Sequence, residues 1–222
     1  MINKNHSKIL LVEGVEDLRI IPKLIEANGV PWVKAKQPVV FIDPCNGYDN
    51  LVNPDLIATW LQASGLLALG IIIDADENPE ERWQSIRNAS LNNIPDLPKS
   101  LPEEGLIHIT AQGIRFGIWM MPDNKICGML ETFIAYMIPS TAEELWQFAQ
   151  TVTREAQTKG AKFKAVHEDK AKIYSWLAWQ NPPGRQLHQA IKQRILTPQN
   201  PDAQKFVTWF KKLYQLENES SH

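Results

Sequence analysis

Residues 69–79 read LGIIIDADENP, an apolar run that ends in two aspartates one residue apart. A continuous apolar run of this length is typical of a strand buried on both faces, as in a parallel sheet. We therefore predict a strand over residues 67–74, which ends at Asp74, with Asp76 just beyond it. Carboxylates at the end of a buried strand need a reason other than core packing.

A second apolar run with acidic residues behind it lies near the start of the chain. Residues 8–14, KILLVEG, predict a strand that ends near Glu13, and Asp17 follows in the first turn of a predicted helix. Because active residues of an open α/β sheet gather at the carboxyl ends of its strands, both acidic pairs meet if these strands are neighbours. Clustered carboxylates repel one another, and a hard divalent cation such as Mg²⁺ or Mn²⁺ removes that cost. Alternatively, Asp17 and Asp76 are only helix caps that favour the positive end of the helix dipole.

The remaining pattern predicts an α/β protein. Strands are predicted over 8–14, 38–44, 67–74, 105–110 and 114–122, with helices over 16–29, 53–65 and 78–91 between the first ones. Asparagine followed by proline predicts the starts of the second and third helices. Further helices are predicted over 128–138, 141–158, 164–180, 185–195 and 202–216. We predict a mostly parallel, Rossmann-like sheet flanked by helices, residues 1–138, with a helical C-terminal extension, residues 139–222, packed on it as one compact unit.

Composition narrows the class of protein. The chain has 222 residues, an ordinary apolar fraction of 44% and a net charge of −2, which argues against global disorder. We find neither an apolar stretch long enough to span a bilayer nor a signal peptide, so no membrane contact is predicted. Two distant cysteines, Cys45 and Cys127, argue against a disulfide scaffold or a zinc module and favour a reducing cytoplasm.

Charge is unevenly distributed along the chain. Residues 159–194 carry eight basic and two acidic side chains, a net charge of +6. Such a segment is either a surface that faces phosphates or a solvated helix face. Under the first interpretation, the candidate nucleic-acid-binding residues are Lys162, Lys164, Lys170, Lys172 and Arg185. Trp176 and Trp179 lie beside them and are the better candidates among the tryptophans for contact with nucleic acid, but core packing of both rings is favoured over base stacking.

The two acidic motifs together resemble the Toprim domain, the metal-binding module of topoisomerases, bacterial-type primases and the overcoming-lysogenization-defect (OLD) nucleases. LLVEGVEDLRII, residues 10–21, is similar to its first motif, and GIIIDADENPEER, residues 70–82, is similar to its second. The E-x-x-x-D form resembles the OLD-nuclease branch. GMLETFI, residues 128–134, and HEDKAKIYSWLAWQNPPG, residues 167–184, resemble a Toprim-like bacterial family of unknown function.

The resemblance implies a role for each matching residue. Glu13 would be a metal ligand or a general acid-base, and Lys170 would stabilise charge on a transferring phosphoryl group. The metal ligands implied are Glu13, Asp17, Asp74, Asp76 and Glu131, with Asp17 and Glu131 serving a second ion. Two ions about 3.5–4 Å apart activate water and stabilise the leaving oxygen in such sites. The implied activity is phosphodiester chemistry on DNA or RNA, foremost as a nuclease.

The chain also departs from these families. It has no G-x-x-x-x-G-K-[ST] P-loop, so any ATPase would be a separate partner. It also lacks the tyrosine-bearing domain of a topoisomerase and the zinc-binding module of a primase. Two alternatives stay open: a non-catalytic, metal-binding regulatory subunit, and a hydrolase of small phosphate esters. A homodimer is also compatible with the sequence.

Overall fold

The computed structural model describes residues 6–216, which are built around a five-stranded sheet. The strands are β1 (Lys8–Val12), β2 (Val33–Lys34), β3 (Gln37–Pro38), β4 (Phe41–Pro44), β5 (Ala68–Asp74), β6 (Leu106–Ile109) and β7 (Arg115–Met121). The sheet order is β4–β1–β5–β7–β6, in which only the β6–β7 pair is antiparallel. β2 and β3 form a separate antiparallel hairpin. The prediction of a mostly parallel sheet is confirmed.

Helices cover both faces of this sheet. They are α1 (Val15–Ala27), α2 (Tyr48–Leu51), α3 (Pro54–Leu61), α4 (Pro79–Ser90), α5 (Leu130–Ala135), α6 (Glu143–Thr158), α7 (Glu168–Ala178), α8 (Leu187–Lys192) and α9 (Pro201–Tyr214). Short 3-10 turns precede α6 and α7. In the described part of the chain, none of the helices combines the length and apolarity that crossing a bilayer requires.

The burial of β1 on both faces explains why its sequence is continuously apolar. Ile9 and Leu11 belong to a core cluster with α2, α3 and α4, whereas Leu10 and Val12 belong to a second cluster with α1 and α5–α9. All four side chains are fully buried. A strand buried on both faces cannot alternate apolar with polar residues, so the apolar run follows from the two-sided helix layer.

The asparagine–proline starts of α3 and α4 are confirmed. Asn53 Oδ1 accepts a hydrogen bond from the backbone N–H of Asp55 at 2.9 Å, and Asn78 Oδ1 accepts one from Glu81 N–H at 3.2 Å. Each asparagine satisfies a backbone donor that the helix leaves without a partner, and the following proline lacks that donor altogether. These caps set the points where the chain leaves the carboxyl edge of the sheet.

The predicted strand 38–44 is wrong in extent. Pro38 belongs to the β2–β3 hairpin, and the sheet strand begins only at Phe41. The backbone N–H of Val39 donates to the carbonyl oxygen of Trp32 at 2.8 Å, so the hairpin pairing extends past β3. A long-range backbone contact therefore divides a segment whose residues all favour extended structure.

The C-terminal helix α9 is fastened to the centre of the sheet. Tyr214, which is fully buried, donates its hydroxyl to the carbonyl oxygen of Ile9 at 2.7 Å. The indole N–H of Trp209 donates to the carbonyl oxygen of Leu106 at 2.9 Å. Gly70 leaves the space for the tyrosine, because a Cβ there would lie 2.2 Å from its hydroxyl oxygen. The helical segment and the α/β segment therefore share one hydrophobic core.

We expect Gly70→Ala to destabilise the fold by about 1–3 kcal/mol, because the added methyl group must displace Tyr214 or the sheet. In a Tyr214→Phe background the nearest clash is removed, so the same substitution should cost about 1 kcal/mol less. Urea unfolding of the two single variants and the double variant measures this coupling. An equal cost of Gly70→Ala in both backgrounds would contradict the close packing described here.

Candidate functional site

Two carboxylates meet where β1 and β5 end. The strands pair in parallel with Leu11 opposite Ile71, so their carboxyl ends lie at the same edge of the sheet. The backbone N–H of Asp74 donates to Glu13 Oε1 at 2.9 Å. The expectation that these strands are neighbours and that their terminal acidic residues converge is confirmed.

Asp17 lies just behind this pair, in the first turn of α1. Its Oδ2 accepts a hydrogen bond from the backbone N–H of Gly14 at 3.2 Å, and the residue is only 8% exposed. The helix-capping contact of the simpler interpretation is therefore present. A carboxylate that only capped a helix would ordinarily be solvated, however, and burial beside Glu13 gives Asp17 an additional electrostatic cost.

Asp76 is held by a backbone bridge to the loop before α5. Its N–H donates to the carbonyl oxygen of Gly128 at 2.8 Å, and the N–H of Gly128 donates back to its carbonyl oxygen at 2.8 Å. Asp76 has a φ of 49°, a left-handed conformation that aspartate tolerates better than most residues. A Cβ on Gly128 would lie 2.6 Å from Thr132 Oγ1, so a glycine keeps the bridge close.

Helix α5 completes the acidic cluster. The N–H of Leu130, in its first turn, donates to Asp74 Oδ1 at 3.0 Å. The next residue, Glu131, is 6% exposed and forms an ion pair with Lys170 of α7, with 3.2 Å between Oε1 and Nζ. Burial alone would lower the pKa of Lys170, but the Glu131 carboxylate raises it. The structure thus brings Asp74 into contact with a helix that begins more than fifty positions later in the sequence.

Burial has the largest effect on the electrostatics of the cluster, and repulsion between its carboxylates adds to it. Burial raises the pKa of Asp74 well above its ordinary value, and the charges of Glu13, Asp17, Glu131 and Asp76 raise it further. Burial raises the pKa of Asp17 to about 7, although the Gly14 backbone N–H opposes the shift. Burial also raises the pKa of Glu13, and the Asp74 backbone N–H only partly offsets it. These carboxylates are close enough to act as one electrostatic unit.

Arg82 of α4 is a site residue that the sequence analysis missed. Its guanidinium forms an ion pair with Asp76 and lies over the Tyr48 ring, 3.6 Å from the ring centroid. Burial alone would lower the pKa of Arg82, but Tyr48 and Asp76 together raise it. The available signal was its place six residues after Asp76, early in a helix that leaves the same edge. Neighbouring Glu80 and Glu81 made that stretch look like an ordinary exposed first turn.

A second set of contacts attaches α7 to α5. Thr132 Oγ1 accepts a hydrogen bond from the N–H of Met129 at 3.0 Å and donates to Asp169 Oδ2 at 2.6 Å. Lys172 Nζ lies 2.9 Å from Asp169 Oδ1 and 2.9 Å from Glu168 Oε1, and its side chain is only 12% exposed. The ammonium group of Lys172 is therefore already paired, although the sequence predicted it as a nucleic-acid contact. Its role there stays a prediction.

The other predicted phosphate contacts differ in exposure. Lys162 and Lys164 are exposed and lie in the segment before α7, and no ion pair to either occurs within residues 6–216. Arg185 is partly buried, and its Nε has no hydrogen-bond partner among the described residues. Among the predicted phosphate contacts, the exposed cations without an ion pair to a described residue are thus Lys162 and Lys164.

The two tryptophans beside this segment behave differently. Trp176 is fully buried, as predicted, but Trp179 is 43% exposed and its ring packs against that of Phe148, with 5.6 Å between centroids. The prediction that Trp179 is a core residue is therefore wrong, because it stands at the end of α7, beyond the helix face that packs on the sheet. Nine residues, about two and a half turns, separate Trp179 from Lys170, so they lie on opposite sides of the helix axis.

The predicted metal ligands are not arranged as a finished coordination sphere. Among residues 6–216, no group of three or more histidine, cysteine, aspartate or glutamate side chains stands ready to hold a metal ion. The contacts above give the reason, since each carboxylate already accepts a hydrogen bond or pairs with a cation of the protein. The chemistry of the donors still fits a hard divalent ion, because all five are carboxylates.

Comparison with known proteins gave one match. A family model described as "Protein of unknown function (DUF3226)" matches residues 7–215. No curated protein and no solved structure matched the chain.

We expect the metal-free protein to lose stability as the pH rises. The Asp17 pKa is about 7 in the folded protein and near 3.8 in a free side chain. Between these values the folded state keeps a proton that the unfolded chain releases, so this stabilisation is present at low pH and is lost as the pH passes 7. With a metal chelator present, the unfolding free energy of the wild type should fall between pH 5 and pH 8. The fall for Asp17→Asn should be smaller than the wild-type fall by on the order of 2 kcal/mol.

The matched control is Asp55→Asn, which makes the same chemical change at an exposed aspartate in the first turn of α3. It should keep the wild-type dependence on pH. If Asp17→Asn and the wild type lost stability in parallel, the Asp17 carboxyl would not be the group that holds the proton.

Proposed function

The chain belongs to the DUF3226 family, and we propose that it is a Toprim-type enzyme that hydrolyses phosphodiester bonds of DNA or RNA with Mg²⁺ or Mn²⁺. The observation that carries this proposal is the convergence of carboxylates from four segments of the chain on one sheet edge. The residues are Glu13, Asp17, Asp74, Asp76 and Glu131. Among the described residues, only Arg82 and Lys170 form ion pairs with them, so ionisation of all five carboxylates would leave a net negative charge for a cation to balance.

In this proposal Glu13, Asp74 and Asp76 hold the first ion, and Asp17 and Glu131 serve a second. Two strand ends and a bridged loop position the first group, which gives it a rigid backbone. A bound divalent cation supplies Lewis acidity at the phosphate and favours the ionised form of water. Every ligand is a hard oxygen donor, the kind that Mg²⁺ and Mn²⁺ prefer.

The remaining chemistry falls to two side chains of the protein. Lys170 neutralises charge on the phosphoryl oxygens, for which its ion pair with Glu131 already places it at the cluster. Glu13, apart from its role as a ligand, takes or returns the proton of the attacking water. Its position between the ends of β1 and β5 puts it beside the other carboxylates.

The exposed lysines at positions 162 and 164 provide the approach for a nucleic acid. They lie on the segment that leads into α7, the same helix that presents Lys170 to the cluster. We place the enzyme in the cytoplasm, which suits the free thiols of Cys45 and Cys127.

One observation favours a second candidate function. The carboxylates are satisfied by donors of the protein itself, as expected for a fold that keeps its acidic edge without turnover. In that case the protein would be a metal-binding regulatory subunit that acts with a separate ATPase. The two candidates differ in whether metal binding is accompanied by cleavage of nucleic acid.

We expect calorimetry to detect Mg²⁺ and Mn²⁺ binding by the wild type and a loss of at least about 100-fold in affinity for Asp74→Asn, since the substitution removes a central ligand charge. The same substitution should abolish metal-dependent cleavage of labelled single- and double-stranded DNA and RNA. The asparagine keeps the shape of the side chain and its contact with the N–H of Leu130.

Asp55→Asn is again the control, because it makes the same chemical change at an exposed position outside the cluster. It should bind metal and cleave like the wild type. Absence of metal binding by the wild type would overturn the proposal, whereas binding without cleavage of any substrate would favour the regulatory subunit.

We also expect the affinity for duplex DNA to fall steeply with salt concentration. Each neutralised phosphate releases counterions, so replacing Lys162 and Lys164 by glutamine should lower the slope of log K against log salt by about 1.8. Fluorescence anisotropy with a labelled duplex measures this slope. The control pair Lys36→Gln and Lys99→Gln removes two exposed charges elsewhere, and an equal effect of both pairs would rule out a localised surface.

A further inference from the structure

Arg82 sits at the mouth of the acidic cluster, with its guanidinium held on two sides. One side is the Asp76 carboxylate, with which it forms an ion pair, and the other is the face of the Tyr48 ring, 3.6 Å from Cζ to the centroid. The side chains of Arg82 and Asp76 are 23% and 26% exposed, so the pair is reachable from solvent. Arg82 therefore contacts a carboxylate of the cluster and is also accessible to a ligand from solvent.

The Tyr48 ring, which packs against the Arg82 guanidinium, lies at the same edge of the sheet. Tyr48 begins the short helix α2, directly after Gly47, whose N–H donates to the carbonyl oxygen of Glu13 at 2.9 Å. The segments after β1, β4 and β5 therefore meet at the guanidinium. The stacking on Tyr48 does not depend on Asp76, so it can hold Arg82 in place after the ion pair opens.

Asp76 has two competing uses. The carboxylate oxygen that now faces Arg82 is among those that the proposed function assigns to a divalent cation. An oxygen that coordinates the ion pairs more weakly with the guanidinium, because part of its charge is neutralised by the metal and the two cations repel. Metal binding would thus release the hydrogen-bond donors of Arg82 while Tyr48 keeps the side chain at the site.

We propose that Arg82 is a phosphate-binding residue of this site, which Asp76 restrains in the metal-free protein and releases when it turns to a divalent cation. This inference rests on the proposed function and extends it to the recognition of the substrate. A planar guanidinium with a fork of N–H donors matches the oxygens of a phosphate group better than an ammonium does. Lys170 and Arg82 would then contact the phosphate from opposite sides of the cluster, since α7 and α4 cover opposite faces of the sheet.

The test uses Mn²⁺ alone and then inorganic phosphate added to the Mn²⁺-loaded protein. In Arg82→Gln the metal no longer displaces a guanidinium, so we expect Mn²⁺ affinity by calorimetry to rise about three- to tenfold. The affinity of the loaded protein for phosphate, followed by ³¹P relaxation, should fall at least about tenfold. Arg82→Lys keeps the charge, so its Mn²⁺ affinity should stay near that of the wild type while its phosphate affinity falls.

Arg154→Gln is the matched control, because Arg154 of α6 forms an exposed ion pair with Glu168 outside the cluster. It should leave both affinities unchanged, and thermal melting should show that each variant is folded. Unchanged phosphate binding in both Arg82 variants would overturn the inference while the proposed function stands. An unchanged or lowered Mn²⁺ affinity in Arg82→Gln would overturn the claim that Asp76 gives up its ion pair with Arg82 when it binds the metal ion. No Mn²⁺ binding by the wild type would overturn the proposed function and this inference with it.

Discussion

The parallel pairing of β1 with β5 places Glu13 and Asp74 at one edge of the sheet, within reach of a single hydrogen bond. Burial raises the pKa of both carboxyls, and the charge of Glu13 raises the pKa of Asp74 further. The surrounding segments supply what reduces the repulsion. Backbone donors, one arginine and one lysine approach the cluster from α1, α4, α5 and α7.

The supporting contacts are almost all between segments that are distant in sequence. The bridge between Asp76 and Gly128 joins the loop after β5 to the loop before α5. Thr132 and Asp169 then join α5 to α7, which carries Lys170. Because these links involve backbone groups or short side chains, they fix the positions of the Cα atoms that carry the carboxylates. A site of this kind combines a rigid frame with ligands that can exchange partners.

A large core on both faces of the sheet offsets the free-energy cost of the acidic edge. Five close carboxylates destabilise the metal-free fold, and the fold must compensate with packing elsewhere. The fully buried aromatic residues of α9 and the Tyr214 hydroxyl on the carbonyl oxygen of Ile9 tie the C-terminal helix to the same strands that carry the cluster. The C-terminal helix is in this sense part of the support of the candidate site.

The sequence by itself determined the elements whose causes are local: the apolar strands, the asparagine caps of α3 and α4, and the acidic residues that end β1 and β5. Each depends on a few consecutive residues, so periodicity and capping chemistry were enough to predict them. Only the tertiary structure decided which cations meet the cluster, because Arg82 and Tyr48 come together across three segments. It likewise decided that Lys172 is paired internally and that Trp179 is exposed. The direction of a side chain depends on how its helix is rotated against the sheet, and that rotation results from packing of the whole core, which no short stretch of sequence encodes.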